Sequence, residues 1–158
     1  MINIGLEKKT CEQSAALLNK LLANEFMLYT KTLKVHWNVE GKHFGALHEF
    51  FKQQYEALFV IVDDVAERAR ALGEMSFGTI KEFAQHGTLP EHPGTNPDDL
   101  AMIAWLLEDH EAIIRQVRKD IDTTAAMNDM GTNNFLTDLM EQHEKMAWML
   151  RSFLLKNK

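Results

Sequence analysis

The fold predicted from this sequence is all-α: four long helices in a bundle, with one long crossover in the middle. Three observations carry that prediction. Apolar residues recur at three- and four-residue spacing over four stretches, the mark of amphipathic helices. Glycine and proline gather in one central stretch, Gly73 to Pro97. No run of alternating β-branched residues reads as a strand.

The first helix is expected to open at Thr10, because Thr10-Cys11-Glu12-Gln13 has the form of a capping box. Leu17, Leu18, Leu21, Leu22, Leu28, Tyr29 and Val35 then form an apolar stripe, interrupted by Glu25 and Thr32. Gly41 stands just beyond its expected end near Asn38. The second helix is expected from Phe44 to Leu72, with Leu47, Phe51, Leu58, Val62, Val65 and Ala69 on its apolar side and Gly73 as its stop. Turn residues dominate from Gly73 to about Pro97, and Thr79 to Gln85 reads as a short helix with Ile80 and Phe83 on one side. A connection of about 25 residues is too long for a tight turn between antiparallel neighbours and suits a crossover along the bundle. Asn96-Pro97-Asp98-Asp99 predicts the third helix: a cap at Asn96, Pro97 in the first helical position, then acids on the positive end. That helix is expected to reach Met127. Gly131 marks a short turn, and the fourth helix is expected from Thr132 to Leu155. One long crossover within four helices is the ferritin-like arrangement.

A chain of 158 residues suits a single domain, residues 1–158, with about the first nine as a flexible N-terminal segment. Its formal charge of −6 gives the molecule no overall attraction for a phosphate backbone. Cys11 is the only cysteine, so no internal disulfide can form. It reads as a small semi-buried residue and fits a reducing compartment. Neither a secretory leader nor an apolar run of roughly 20 residues is visible, so a cytoplasmic protein without a membrane span is expected.

The chemistry concentrates in His36, His48, Asp63 and Glu67. Two imidazoles and two carboxylates form a ligand mixture suited to iron, and zinc or manganese would fit almost as well. Asp63 and Glu67 are four residues apart and share a helix face. Fifteen residues separate His48 from Asp63. At 100° per residue that leaves an offset of about 60°, so all three face one side. Yet the same fifteen steps put His48 and Asp63 about 22 Å apart along the axis. One helix cannot close them on one ion; if all four are ligands, a second copy must complete the site. The competing reading is a solvated polar stripe. A Glu-x-x-His spacing, which di-iron bundles use within their helices, occurs only at Glu40-Gly41-Lys42-His43, where Gly41 places it in a turn. His86, His92, His110 and His143 show no partners in the pattern, and Glu108-Asp109-His110-Glu111 reads as a solvated face.

Lys34-Val35-His36-Trp37-Asn38-Val39-Glu40-Gly41-Lys42-His43-Phe44, then Leu47-His48-Glu49-Phe50-Phe51, resembles the Dps family, ferritin-like proteins that protect DNA in starved cells. Asp63 to Gly73 and His143 to Leu150 resemble its later motifs, and the likeness runs from about Leu17 to Leu155. The resemblance implies a hollow shell of twelve subunits with ferroxidase centres at two-fold interfaces. His36 and His48 would come from one chain, Asp63 and Glu67 from its neighbour. Fe(II) would be oxidised there, preferably by hydrogen peroxide, and stored as ferric mineral with no organic cofactor. Trp37 would lie near the centre and quench stray oxidising equivalents, the alternative being plain packing at the interface.

The sequence departs from the family pattern in two places. Four residues after the second histidine, where the family has an acid, stands Lys52. A fixed cation there opposes a second metal ion, although Glu56 at i+4 can neutralise it. A basic tail is also missing: only Lys8 and Lys9 precede the first helix, and Lys156-Asn157-Lys158 ends the chain. The family likeness allows DNA binding and nucleoid association, but the charge here opposes both. The alternative to an iron-oxidising shell is an architectural DNA-binding shell with weak or lost ferroxidase activity. Acidic channels that admit iron would draw on Asp129 and Asp138.

Overall fold

The computed structural model describes residues 2–155. Five helices follow in order: α1 (Lys8–Asn38), α2 (Phe44–Ala71), α3 (Ile80–His86), α4 (Asp99–Ala126) and α5 (Met130–Leu154), with no strand among the described residues. α1 packs along α2 and α4 along α5, and the two hairpins join chiefly through α1 against α4. Leu18, Leu22, Leu28, Leu58, Val65, Leu106, Val117 and Leu150 form the dry centre.

The crossover is stitched to α1 by side-chain bonds in rising order. Asn19 donates to the Met75 carbonyl and accepts from the Phe77 amide. Asn24 accepts from the Thr88 amide, Lys31 donates to the Pro90 carbonyl and Lys34 to the His92 carbonyl. Asn96 then reaches the Asn38 carbonyl. From Asn19 to Asn38 is about 28 Å of helix, so the crossover carries the chain from one end of the bundle to the other. α4 therefore starts beside the end of α1 and runs parallel to α2. α3 adds a stacked contact on the way, Phe83 on Phe26 at 4.4 Å.

Three helix starts differ from the sequence expectation. α1 opens at Lys8 after Glu7, so Thr10 lies inside the helix and its capping box does not form. The last residues of the expected flexible segment, Lys8 and Lys9, are thus helical. Asp98, not Asn96, caps α4 by accepting from the Ala101 amide. Asp129 caps α5 by accepting from the Thr132 amide, two residues before the expected start. The capping box that does form is at α3, where Thr79 and Glu82 satisfy each other's backbone amides.

A polar cluster lies inside the bundle, contrary to the expectation of an unpartnered His110 on a solvated face. Glu25, His110 and His143 are each 0 % exposed, and Asp109 is 1 % exposed and paired with Lys31. His110 Nδ1 and His143 Nδ1 are 2.9 Å apart, and His143 Nε2 lies 3.0 Å from Glu25 Oε1 without in-line hydrogen-bond geometry. Two nitrogens at 2.9 Å can share only one proton, so one ring must offer a lone pair to the other. Burial, and then the neighbouring His143, hold His110 well below its ordinary range. The unfolded chain therefore takes up a proton at His110 below about pH 6.5 that the native chain refuses. The resulting stability is complete above that pH and is lost as pH falls below it. Urea unfolding at about pH 7.5 and pH 5.5 should show a lower midpoint in acid, and His110→Gln should lessen that drop by up to about 1.4 kcal/mol per pH unit.

Candidate metal centre

His36 lies in the last turn of α1 and His48 in the first turns of α2, so the short link at Val39–His43 brings them together. The chain turns there because Val39 leaves the helix in extended conformation and Gly41 adopts a positive φ of 102°. The two histidines clasp each other: His36 Nδ1 donates to the His48 carbonyl at 2.8 Å, and His48 Nδ1 to the His36 carbonyl at 2.9 Å. Their rings stack with centroids 3.8 Å apart. A carbonyl can only accept, so each Nδ1 carries a hydrogen, and in the neutral ring the lone pair falls on Nε2. That is the tautomer a metal-ligating histidine needs, with the ring fixed by its other nitrogen.

Asp63 and Glu67 lie far along α2 from this pair and are exposed. Among the described residues neither enters an ion pair, and no three His, Cys, Asp or Glu side chains of one chain converge on a metal position. The geometry thus divides the predicted set into halves: two imidazoles at one end of α2, two carboxylates at the other. On the 100° helical step Phe44, His48, Lys52, Tyr55, Glu56, Phe59, Asp63 and Glu67 share one broad face. Phe44 and Phe59 are exposed large apolar residues on it. Lys52 stands between the halves, 3.9 Å from Glu56 Oε1, with both side chains about half exposed. An exposed pair of this kind contributes little stability.

Trp37 follows His36 in sequence and is 68 % exposed on the single chain. Two aromatic rings pack on the clasp: Tyr55, edge-on to His36 at 5.1 Å, and Phe44, tilted on His48 at 5.0 Å. Sequence spacing had a usable signal for Tyr55, which is seven residues, two turns, beyond His48. Asp129, expected near an iron channel, is 1 % exposed. Burial alone would raise its carboxyl. Hydrogen bonds from the Thr132 side chain and amide, with the charge of Arg68, hold it below the usual carboxylate range instead. It pins the start of α5 to the end of α2, while Asp138 remains exposed.

The ferritin-like domain model matches residues 15–158. A DNA protection during starvation protein of Bacillus anthracis is 31 % identical over 90 % of this chain and 97 % of its own length. The chain belongs to the Dps family. A protein of Nostoc sp. described as an uncharacterized low temperature-induced protein is 44 % identical over 97 % of this chain and 86 % of its own. Among solved structures, DpsC from Streptomyces coelicolor superposes with a TM-score of 0.97 at 28 % identity, covering all of this chain and 92 % of that one. A Dps protein of Vibrio cholerae, described as a member of the ferritin-like diiron-carboxylate superfamily, superposes at 0.93 with 28 % identity, covering 98 % of this chain and 97 % of that one. No helix of this Dps chain, among its described residues, is long and apolar enough to cross a membrane.

Asp129→Ala removes the cap of α5 and leaves the partly buried Arg68 guanidinium without its partner. The thermal midpoint should drop by an amount equivalent to about 2 kcal/mol. Asp138→Ala, on the exposed surface, should leave it within about 0.5 kcal/mol.

Proposed function

We propose that this Dps protein oxidises Fe(II), preferably with hydrogen peroxide, at centres shared between two copies of the chain. Ferric iron would be stored inside a closed shell of twelve subunits, which would protect DNA from oxidative damage. The observation that carries the reading is the clasped pair His36 and His48, with both Nδ1 atoms engaged by backbone carbonyls and His48 on the same face of α2 as the distant Asp63 and Glu67. A two-fold axis pairing that face with its copy runs the two α2 helices antiparallel. It sets each histidine pair opposite the partner's carboxylates, with the crossing near Glu56. Two neutral imidazoles and two carboxylates suit Fe(II), and the anions favour the Fe(III) product. Each turnover consumes two Fe(II), one H2O2 and two protons and yields two Fe(III) and two waters. The two-electron course releases no hydroxyl radical.

Subunit sharing has a direct test. Chains carrying His36→Ala and His48→Ala should be inactive, as should chains carrying Asp63→Ala and Glu67→Ala. Refolded together, random pairing should restore about a quarter of the wild-type centres, because each mixed pair rebuilds one of its two. Peroxide-dependent ferric absorbance measures this, and no recovery in the mixture would rule out a shared site.

Lys52 sets the stoichiometry. Its ammonium cannot ligate, and it repels a second cation. Anaerobic titration should find one tight Fe(II) per centre, and Lys52→Asp should add a second. Two tight ions in the unaltered protein would show that the charge does not limit occupancy.

An architectural DNA-binding role fits less well. Twelve copies at −6 would carry a charge of about −72, strongly repelling a polyanion. Lys8 is paired with Glu12 in the first turns of α1, and Lys156-Asn157-Lys158 lies outside the described residues. No gel shift is expected at low salt with nanomolar shells; a clear one would reverse this reading.

A further inference from the structure

The reading of a peroxide-consuming centre leaves a difficulty that the chain's own residues address. Hydrogen peroxide needs two electrons to become water, and one Fe(II) supplies one. A centre that Lys52 holds to a single tight ion would, on its own, split peroxide into hydroxide and hydroxyl radical. A second electron must be within reach when the first is taken.

The geometry points to Tyr55 as that donor, a redox-active residue coupled to the centre through the imidazole of His36. The proposal rests on the Fe(II)–peroxide reading above. Its ring lies edge-on to the His36 ring at 5.1 Å with an interplanar angle of 66°. The phenol ring is therefore in contact with the imidazole that would hold the ion. Tyr55 is partly buried and touches the His36 ring, while Trp37 is 68 % exposed. Behind Tyr55 stands Tyr29, its ring 6.4 Å away at 72°. Tyr29 in turn contacts Phe26 at 6.1 Å, and Phe26 stacks on Phe83. The oxidising equivalent thus has a second, partly buried phenol to occupy. These two are the only tyrosines in the chain.

The step balances. Fe(II) gives one electron and the Tyr55 phenol gives one electron and its hydroxyl proton. With one further proton from solvent, the O–O bond of peroxide breaks and two waters form, leaving Fe(III) and a neutral tyrosyl radical. The next Fe(II) to arrive reduces that radical, which takes a proton and becomes the phenol again. The sum is two Fe(II), one H2O2 and two protons giving two Fe(III) and two waters. A centre with one tight ion can then perform the two-electron reduction in sequence.

The test is rapid-freeze electron paramagnetic resonance on the assembled protein, loaded anaerobically with one Fe(II) per centre and pulsed with one peroxide. The expected result is an organic radical whose lines narrow when the protein is grown on ring-deuterated tyrosine. Tyr55→Phe should reduce that signal several-fold and raise hydroxyl-radical spin adducts several-fold, with the ferric yield kept. A radical unaltered by tyrosine deuteration, or one of full size in Tyr55→Phe, overturns the assignment. The deuteration result stands even if the variant folds poorly. Absence of peroxide-accelerated ferric absorbance in the unaltered protein would instead remove the underlying iron reading, and the role of Tyr55 with it.

Discussion

The stitching of the crossover to α1 is the interaction on which the rest of the structure depends. Asn19, Asn24, Lys31 and Lys34 present side chains at rising positions along one helix, and each takes a backbone group of the crossover. Most of these bonds are partly buried, where an unpaired amide or carbonyl is costly. With them, α4 must begin beside the end of α1. That placement makes α4 parallel to α2 and sets His110 at a level where it meets His143 and, through it, Glu25. It also leaves the α1–α2 hairpin free at its turn, where the histidines clasp.

Two kinds of polar residue are therefore held in opposite ways. His36 and His48 bond only to main-chain carbonyls, so their second nitrogens stay free for a ligand. Glu25, His143 and His110 are turned on one another and sealed in the core. Both sets contain histidine, but only the first presents a lone pair at a surface. The contrast explains why four of the seven histidines in the chain carry the polar chemistry, and why the pairs differ in access.

Much of this was legible in the sequence. Hydrophobic period and turn residues located all five helices, because amphipathic spacing reports directly which face a helix buries. The histidine–carboxylate spacing also carried its own geometry, since rise and twist are constant along α2. What stayed hidden depends on partners distant in sequence. Asp109 and His110 sit in a run of charged residues that looks solvated, and only Lys31 and His143, on other helices, reveal the burial. Spacing could have placed Tyr55 on the face of His48, but its contact with the ring of His36, on another helix, depends on how α1 and α2 pack. The misplaced caps at Thr10 and Asn96 have a local cause: several residues nearby could cap a helix, and packing of the ends selects among them. Lys156-Asn157-Lys158, read as a small basic patch, falls outside the described residues.

The uninterrupted course of α2 makes it a measuring rod. It is unbroken helix from Phe44 to Ala71, carrying His48, Asp63 and Glu67 itself and holding His36 through the clasp. Each residue added between His48 and Asp63 would lengthen the rod by about 1.5 Å and turn its far end by about 100°. A single insertion would swing the carboxylates to another face, whereas seven would nearly restore the face but shift it about 10 Å. Loops at the ends of the bundle can vary in length with little consequence for that spacing. The span inside α2 cannot, and so the helix between His48 and Asp63 is the stretch of the chain in which change of length, rather than of residue, is most constrained.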